Sequence, residues 1–199
     1  MHNFKEVFSV FRKNYELVPL EIFGSHPYKT LVSTILSSRT NDDVTLKASQ
    51  RLFKKAPDLQ TLGKLKKGDI EKLIYPVGFY KTKAKHLEAL VNLLSEKDYK
   101  IPKDREGLME LPGVGRKTAN LVLNRAFSTP AIAVDTHVHK ISNLLGWVNT
   151  KTPEQTEKEL TKILPKKYWS DTNRLFVSIG RQFTSKKKLE NFLRENDLL

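Results

Sequence analysis

The sequence predicts an all-α protein, on three observations. Apolar residues recur at steps of three and four in segment after segment. Two-residue alternation bounded by turns is absent. The punctuation between the apolar stripes is short and polar, which suits helices packed in layers rather than domains on flexible tethers.

Taken in chain order, the first stripe is Phe4, Val7, Phe8, Phe11 and Tyr15. After the break Gly24-Ser25-His26-Pro27, residues Tyr28, Leu31, Val32, Ile35 and Leu36 make the second. Ala56-Pro57-Asp58 and Lys67-Gly68-Asp69 interrupt the chain before Leu87, Leu90, Val91 and Leu94 form another, closed by Ile101-Pro102-Lys103. Then come Ala119, Val122, Leu123 and Ala126, and past Ser128-Thr129-Pro130 the group Val138, Ile141 and Leu145. Lys151-Thr152-Pro153 precedes Leu160, Ile163 and Leu164, and Phe176, Ile179 and Phe183 make the last stripe before a short closing helix over residues 189–199. There is no internal repeat, and Lys186-Lys187-Lys188 reads as a basic loop or helix start.

The 199 residues hold 35 Lys+Arg against 22 Asp+Glu, a formal charge of +13. That length accommodates one large domain or two small ones. The absence of cysteine excludes disulfides, thiolate metal sites, iron–sulfur clusters and cysteine nucleophiles together. No apolar run approaches the ~18 residues that span a bilayer, and no signal pattern opens the chain. A soluble intracellular protein, in cytoplasm or nucleoid if prokaryotic, is therefore expected. The charge has three readings: a polyanionic partner, an anionic membrane surface, or plain solubility. The apolar stripes are needed for the core, which weakens the membrane reading.

Residues 105–127 carry the chemistry. A helix is expected to end at Leu111-Pro112, a hairpin to turn on Gly113-Val114-Gly115, and a second helix to begin near Arg116. Both glycines permit positive φ and a close approach of ligand to backbone, and Val114 docks between the helices. Backbone N–H groups of residues 113–116, at the positive end of the second helix dipole, suit a phosphate. Lys117 lies in the first turn beside Arg116, a setting that favours its neutral, nucleophilic form. Ala131-Ile132-Ala133-Val134 then delivers Asp135 to the start of the next helix, where a cap and a catalytic carboxylate are compatible roles. Eighteen residues separate Lys117 from Asp135. One helix and one short loop between them can return the carboxylate to the hairpin.

These motifs resemble the helix-hairpin-helix DNA glycosylases of the endonuclease III type. The likeness runs from Ser25-His26-Pro27-Tyr28 and residues 36–42, through Gly78-Phe79-Tyr80-Lys81-Thr82-Lys83-Ala84, to the hairpin, Val134-Asp135-Thr136-His137 and Gly180-Arg181. The resemblance implies two helical lobes with a DNA-binding cleft between them: a six-helix lobe over 20–130, and a second lobe joining 1–19 to 131–199. It implies Lys117 as the nucleophile that attacks C1′ of a damaged nucleotide and forms a Schiff base. Asp135 would activate the lysine and stabilise positive charge on the sugar. A flipped nucleotide leaves a gap, which the loops at Arg39 and Phe79 would fill; the family pattern usually has Gln and Leu at those positions. Lys81, Gly113, Val114, Gly115, Arg116, Thr118 and His137 would contact DNA, and Lys186 and Lys187 would stand in for basic contacts that a cluster loop usually supplies.

The chain departs from the family at its C-terminus, where many members carry four cysteines on a four-iron, four-sulfur cluster. Here no such cofactor is expected, a monovalent cation at the hairpin carbonyls is the one ion implied, and Trp169, Phe176, Phe183 and Phe192 are expected to hold the C-terminal lobe by packing. Damaged or abasic double-stranded DNA is the expected partner of a monomeric, bifunctional glycosylase and AP lyase for oxidised pyrimidines. A monofunctional mismatch glycosylase, an AP lyase with little base removal, and a non-catalytic hairpin module that clamps phosphate are the alternatives. The lysine argues against the first of these, and the pairing of Lys117 with Asp135 against the last.

Overall fold

The computed structural model describes residues 3–199, and among these the chain is helical throughout, with no strand. In order the α-helices are α1 (Phe4–Lys13), α2 (Pro27–Ser37), α3 (Asp42–Lys55), α4 (Leu59–Gly63), α5 (Lys67–Ile74), α6 (Tyr80–Ser95), α7 (Arg105–Met109), α8 (Arg116–Phe127), α9 (Thr136–Leu144), α10 (Pro153–Ile163), α11 (Trp169–Gln182) and α12 (Lys186–Glu195). Short 3-10 turns cover Pro19–Phe23 and Lys166–Tyr168. No helix among the described residues is long and apolar enough to cross a membrane.

The chain forms two compact units. One is Pro19–Thr129, and the other joins the residues up to Val18 to Pro130–Leu199. The first unit holds seven α-helical segments where the resemblance implies six, and two of them, α4 and α7, are single turns of five residues. Local chemistry sets their starts. Asp58 caps α4 by accepting from Thr61 N at 2.7 Å, with the Thr61 side chain bonding back, and Asp104 caps α7 through Gly107 N at 2.8 Å. α2 is the middle of this unit. Thr30 to Leu36 are all buried, with α3, α6 and α8 packed around it.

The core of the second unit is aromatic. The Phe8 ring stacks on Tyr168 at 4.3 Å between centroids. Phe11 meets Phe176 edge-on at 5.0 Å, and Trp147 packs against Phe4 and Phe176. Each fully buried ring contributes on the order of 2–3 kcal/mol by burial alone. Phe176 and Phe192 are buried as expected, but Trp169 and Phe183 are only partly buried against that core. Trp147, Tyr168 and the α1 phenylalanines supply the rest. The indole N–H of Trp147, between α9 and α10, donates to Asn3 Oδ1 at 3.0 Å, while Phe11 against Phe176 and Arg12 paired with Asp171 at 2.7 Å fix α1 to α11 at both apolar and charged positions. The closing helix starts at Lys186 and ends at Glu195, earlier than the stretch 189–199. Ser185 caps it by accepting from Lys188 N, which turns the lysine triplet into its first turn.

Candidate functional site

The hairpin between α7 and α8 is held from both sides. Arg105 Nε donates to Asn120 Oδ1 at 2.8 Å across the two helices, and Leu111 and Val114 are buried beneath the turn. The glycines differ. Gly113 has φ +81°, and a Cβ there would meet His86 Nδ1 at 2.9 Å. Gly115 has φ −95° as the N-cap of α8 and open space around it, so only the first needs a left-handed backbone. The helix before the hairpin ends at Met109, two residues before Leu111. Nor is every hairpin N–H available to a ligand, since Val114 N donates back to Leu111 O at 3.1 Å. Arg116 and Lys117 are exposed in the first turn of α8, and Thr118 is half-buried. The opposite face, Ala119 to Leu123, is buried against α2.

In the other unit, Ala131, Ile132, Ala133 and Val134 are all buried, and Asn173 Nδ2 anchors this run from α11 by donating to Ala133 O at 3.1 Å. Asp135 follows as the N-cap of α9. Its Oδ1 accepts from both His137 N and Val138 N at 2.9 Å, which leaves the cap without any use for Oδ2. The His137 ring rests on α11 so closely that a Cβ on Gly180 would collide with it. Near it lies a recess of about 620 Å³ bordered by His139, Lys140, Phe183 and Lys186. Lys186 and Lys187 are exposed, with the Lys186 amine 3.7 Å from Glu190.

Arg39 and Phe79 come together. Arg39, in the turn after α2, and Phe79, at the N-cap of α6, both have left-handed backbones, with φ 51° and 57°. The guanidinium lies over the ring, 5.6 Å from its centroid. Phe79 is 61 % exposed, so it is not a core residue. Gly78 N donates to Thr40 Oγ1 at 3.1 Å, and a Cβ at Gly78 would sit 2.5 Å from Arg39 O; glycine is what lets the two loops touch. A cavity of about 200 Å³ opens beside the pair, bounded also by Lys83, His86 and Gly113. Lys81 is exposed on the first turn of α6.

Lys83, within the segment 78–84, has a setting that the sequence does not announce. It is buried, 6 % exposed, and its amine donates to Leu36 O at 2.7 Å, Ser38 O at 2.5 Å and Thr40 Oγ1 at 3.1 Å. Burial pushes its pKa down from 10.5 to about 8. Among the described residues no group of three or more His, Asp or Glu side chains is placed to hold a metal ion, and the chain has no cysteine.

Over residues 32–166 the sequence matches the HhH-GPD superfamily of base excision DNA repair proteins. It is 48% identical to endonuclease III of Thermotoga maritima across 157 residues, covering 78% of this chain and 74% of that one. It is 42% identical to endonuclease III-like protein 1 of Mus musculus, but the match spans 53% of that protein's length. The fold is similar to a trapped endonuclease III–DNA covalent intermediate with an estranged adenine, at TM-score 0.77 and 32% identity over 94% of this chain and 90% of the other.

Proposed function

The chain belongs to the HhH-GPD superfamily of base excision DNA repair proteins, and from that premise we propose how its residues perform the repair. It is a DNA glycosylase and lyase of the endonuclease III type. The substrate class is oxidised or ring-saturated pyrimidines in duplex DNA, inside the cell.

Lys117 is the nucleophile. Its amine lone pair attacks C1′ of the everted nucleotide, and the glycosidic bond breaks with its electron pair leaving on the base. Asp135 takes the amine proton and stabilises the positive charge that develops on the sugar, through the carboxylate oxygen that the α9 cap does not use. Opening of the sugar ring gives an imine between Lys117 and C1′. Loss of a C2′ proton then expels the 3′-phosphate by β-elimination, which nicks the strand, and hydrolysis frees the lysine. Gly113, Gly115 and Arg116 receive the phosphate backbone. Arg39 and Phe79 occupy the vacated stack, and Lys186 and Lys187 add electrostatic contacts.

The observation that carries this reading is the exposed Lys117 in the first turn of α8, directly after a left-handed Gly113 turn seated on His86. The same hairpin is read as holding a monovalent cation. Leu111 O and Gly115 O each accept one backbone N–H and keep a second lone pair for it.

Borohydride trapping on duplexes bearing thymine glycol, uracil, an abasic site or a mismatch tests the proposal. Covalent complexes are expected with thymine glycol and abasic DNA, and Lys117→Ala is expected to abolish them. Trapping that survives this substitution removes Lys117 from its role. Base release without nicking, on mismatches alone, points to a monofunctional enzyme. Replacing potassium by tetramethylammonium in the same panel tests the cation; unchanged rates refute it.

A further inference from the structure

Lys83 is a buried cation that the reaction above does not use. Its three side-chain partners are uncharged oxygens: two carbonyls at the C-terminal end of α2 and one hydroxyl. A helix end leaves carbonyls without partners, and a cationic side chain satisfies them. A methionine or leucine at this site would fill the same volume without desolvating a charge. Packing therefore does not account for an ammonium here.

What the ammonium holds together accounts for it. Its partners flank Arg39 on both sides, at Ser38 and Thr40. The backbone N–H of Lys83 makes the first hydrogen bond of α6, to the O of the N-cap Phe79 at 3.0 Å, so the ammonium that fixes the turn bearing Arg39 is carried one helical turn from the corner bearing Phe79. Thr40 Oγ1 bridges the two, accepting from both Lys83 and Gly78 N. Two non-glycine residues in left-handed conformations, a ring 61 % exposed and a guanidinium stacked on it form a rigid platform of the kind that fills a gap in a base stack.

We propose that Lys83 is the positioning residue of a two-loop wedge, holding Arg39 and Phe79 as one unit for insertion into duplex DNA at the site of an everted nucleotide. This rests on the glycosylase reading, and it separates two jobs. The wedge serves duplex substrates, in which a stack must be filled, and has nothing to fill in a single strand. Loss of the ammonium therefore weakens duplex engagement and leaves the chemistry at Lys117 intact.

The test is equilibrium binding, by fluorescence anisotropy, of a tetrahydrofuran abasic analogue placed in a duplex or in the same strand unpaired. Salt is set high enough to suppress non-specific binding. Lys83→Met is expected to raise the duplex Kd about tenfold or more and to shift the single-strand Kd less than about twofold; Thr40→Val moves the same ratio in the same direction by less. With a cleavable abasic duplex, KM rises for Lys83→Met while kcat at saturation is retained. An unchanged duplex Kd, a parallel loss on both substrates, or a fall in kcat at constant KM overturns the assignment. Thermal melting shows which variants fold, and Thr40→Val carries the comparison if Lys83→Met does not. Failure of the wild-type chain to trap any substrate sinks the lyase reading, while the binding ratio still decides the role of Lys83.

Discussion

Desolvating the Lys83 ammonium costs stability, and the cost depends on pH. With its pKa moved from 10.5 to about 8, the folded chain binds fewer protons than the unfolded chain between those values. Unfolding free energy rises with pH wherever the unfolded state holds more protons. The penalty is thus complete below pH 8 and relieved as pH climbs to 10.5. At about 1.4 kcal/mol per pKa unit the relief is at most roughly 3 kcal/mol. Burial holds the Tyr28 hydroxyl above its ordinary range and tilts the same alkaline region the opposite way, so the measurement is a difference. Urea unfolding of wild type and Lys83→Met at pH 7 and pH 10 should show the wild type gaining on the variant at the higher pH; a constant gap would mean that Lys83 does not titrate there. The sequence places this residue in the 78–84 segment that resembles the family but gives it no role, because a lysine on a helix reads as solvated. Its three acceptors lie 43 to 47 positions away. The glycines were half legible for a similar reason. Gly-x-Gly announces a turn, but only the surroundings, His86 against Gly113 and open space at Gly115, tell which one requires a positive φ.

At the scale of the element, Asp135 holds two jobs that substitution can separate. As the N-cap of α9 it satisfies two backbone N–H groups, worth about 0.5–2 kcal/mol. As a carboxylate it is the proposed proton acceptor. Asparagine caps as well as aspartate but cannot take the proton. Asp135→Asn is therefore expected to melt within a degree or two of wild type and to lose turnover, whereas Asp135→Ala loses turnover and melts lower as well. Equal melting of the two variants would show that the side chain does not cap α9. Apolar stripes marked α1, α2, α6, α8, α9, α10 and α11, although α10 itself buries only Leu160 of its stripe, and α7 and α12 were expected from the hairpin and the closing segment. α3 escaped this reading because two of its five buried residues are Thr45 and Ser49, which an apolar stripe does not count. α5 escaped because it buries only Ile70 and Ile74. The three lysines read equally as a loop or a helix start, and the Ser185 cap decides for the helix.

For the whole molecule the charge of +13 is legible without any structure, yet a polyanionic partner is one of its three readings, and that reading alone predicts no more than salt-sensitive binding. The distribution of the exposed cations makes the prediction sharper. Arg116 and Lys117 open α8 and Lys186 and Lys187 open α12, and each phosphate neutralised contributes about −0.9 to the slope of log K against log salt. Lys186 and Lys187 meet backbone in the proposed reading and touch no base. Replacing both with glutamine should flatten that slope by roughly 2, weakening damaged and undamaged duplexes by the same factor. Lys117→Ala removes at most one unit of slope and all of the trapping. Binding titrations at four or five salt concentrations, on matched intact and abasic duplexes, separate these effects. A double variant that lost affinity for the abasic duplex alone would place Lys186 and Lys187 in lesion recognition, and the C-terminal helix would then have a role beyond electrostatics.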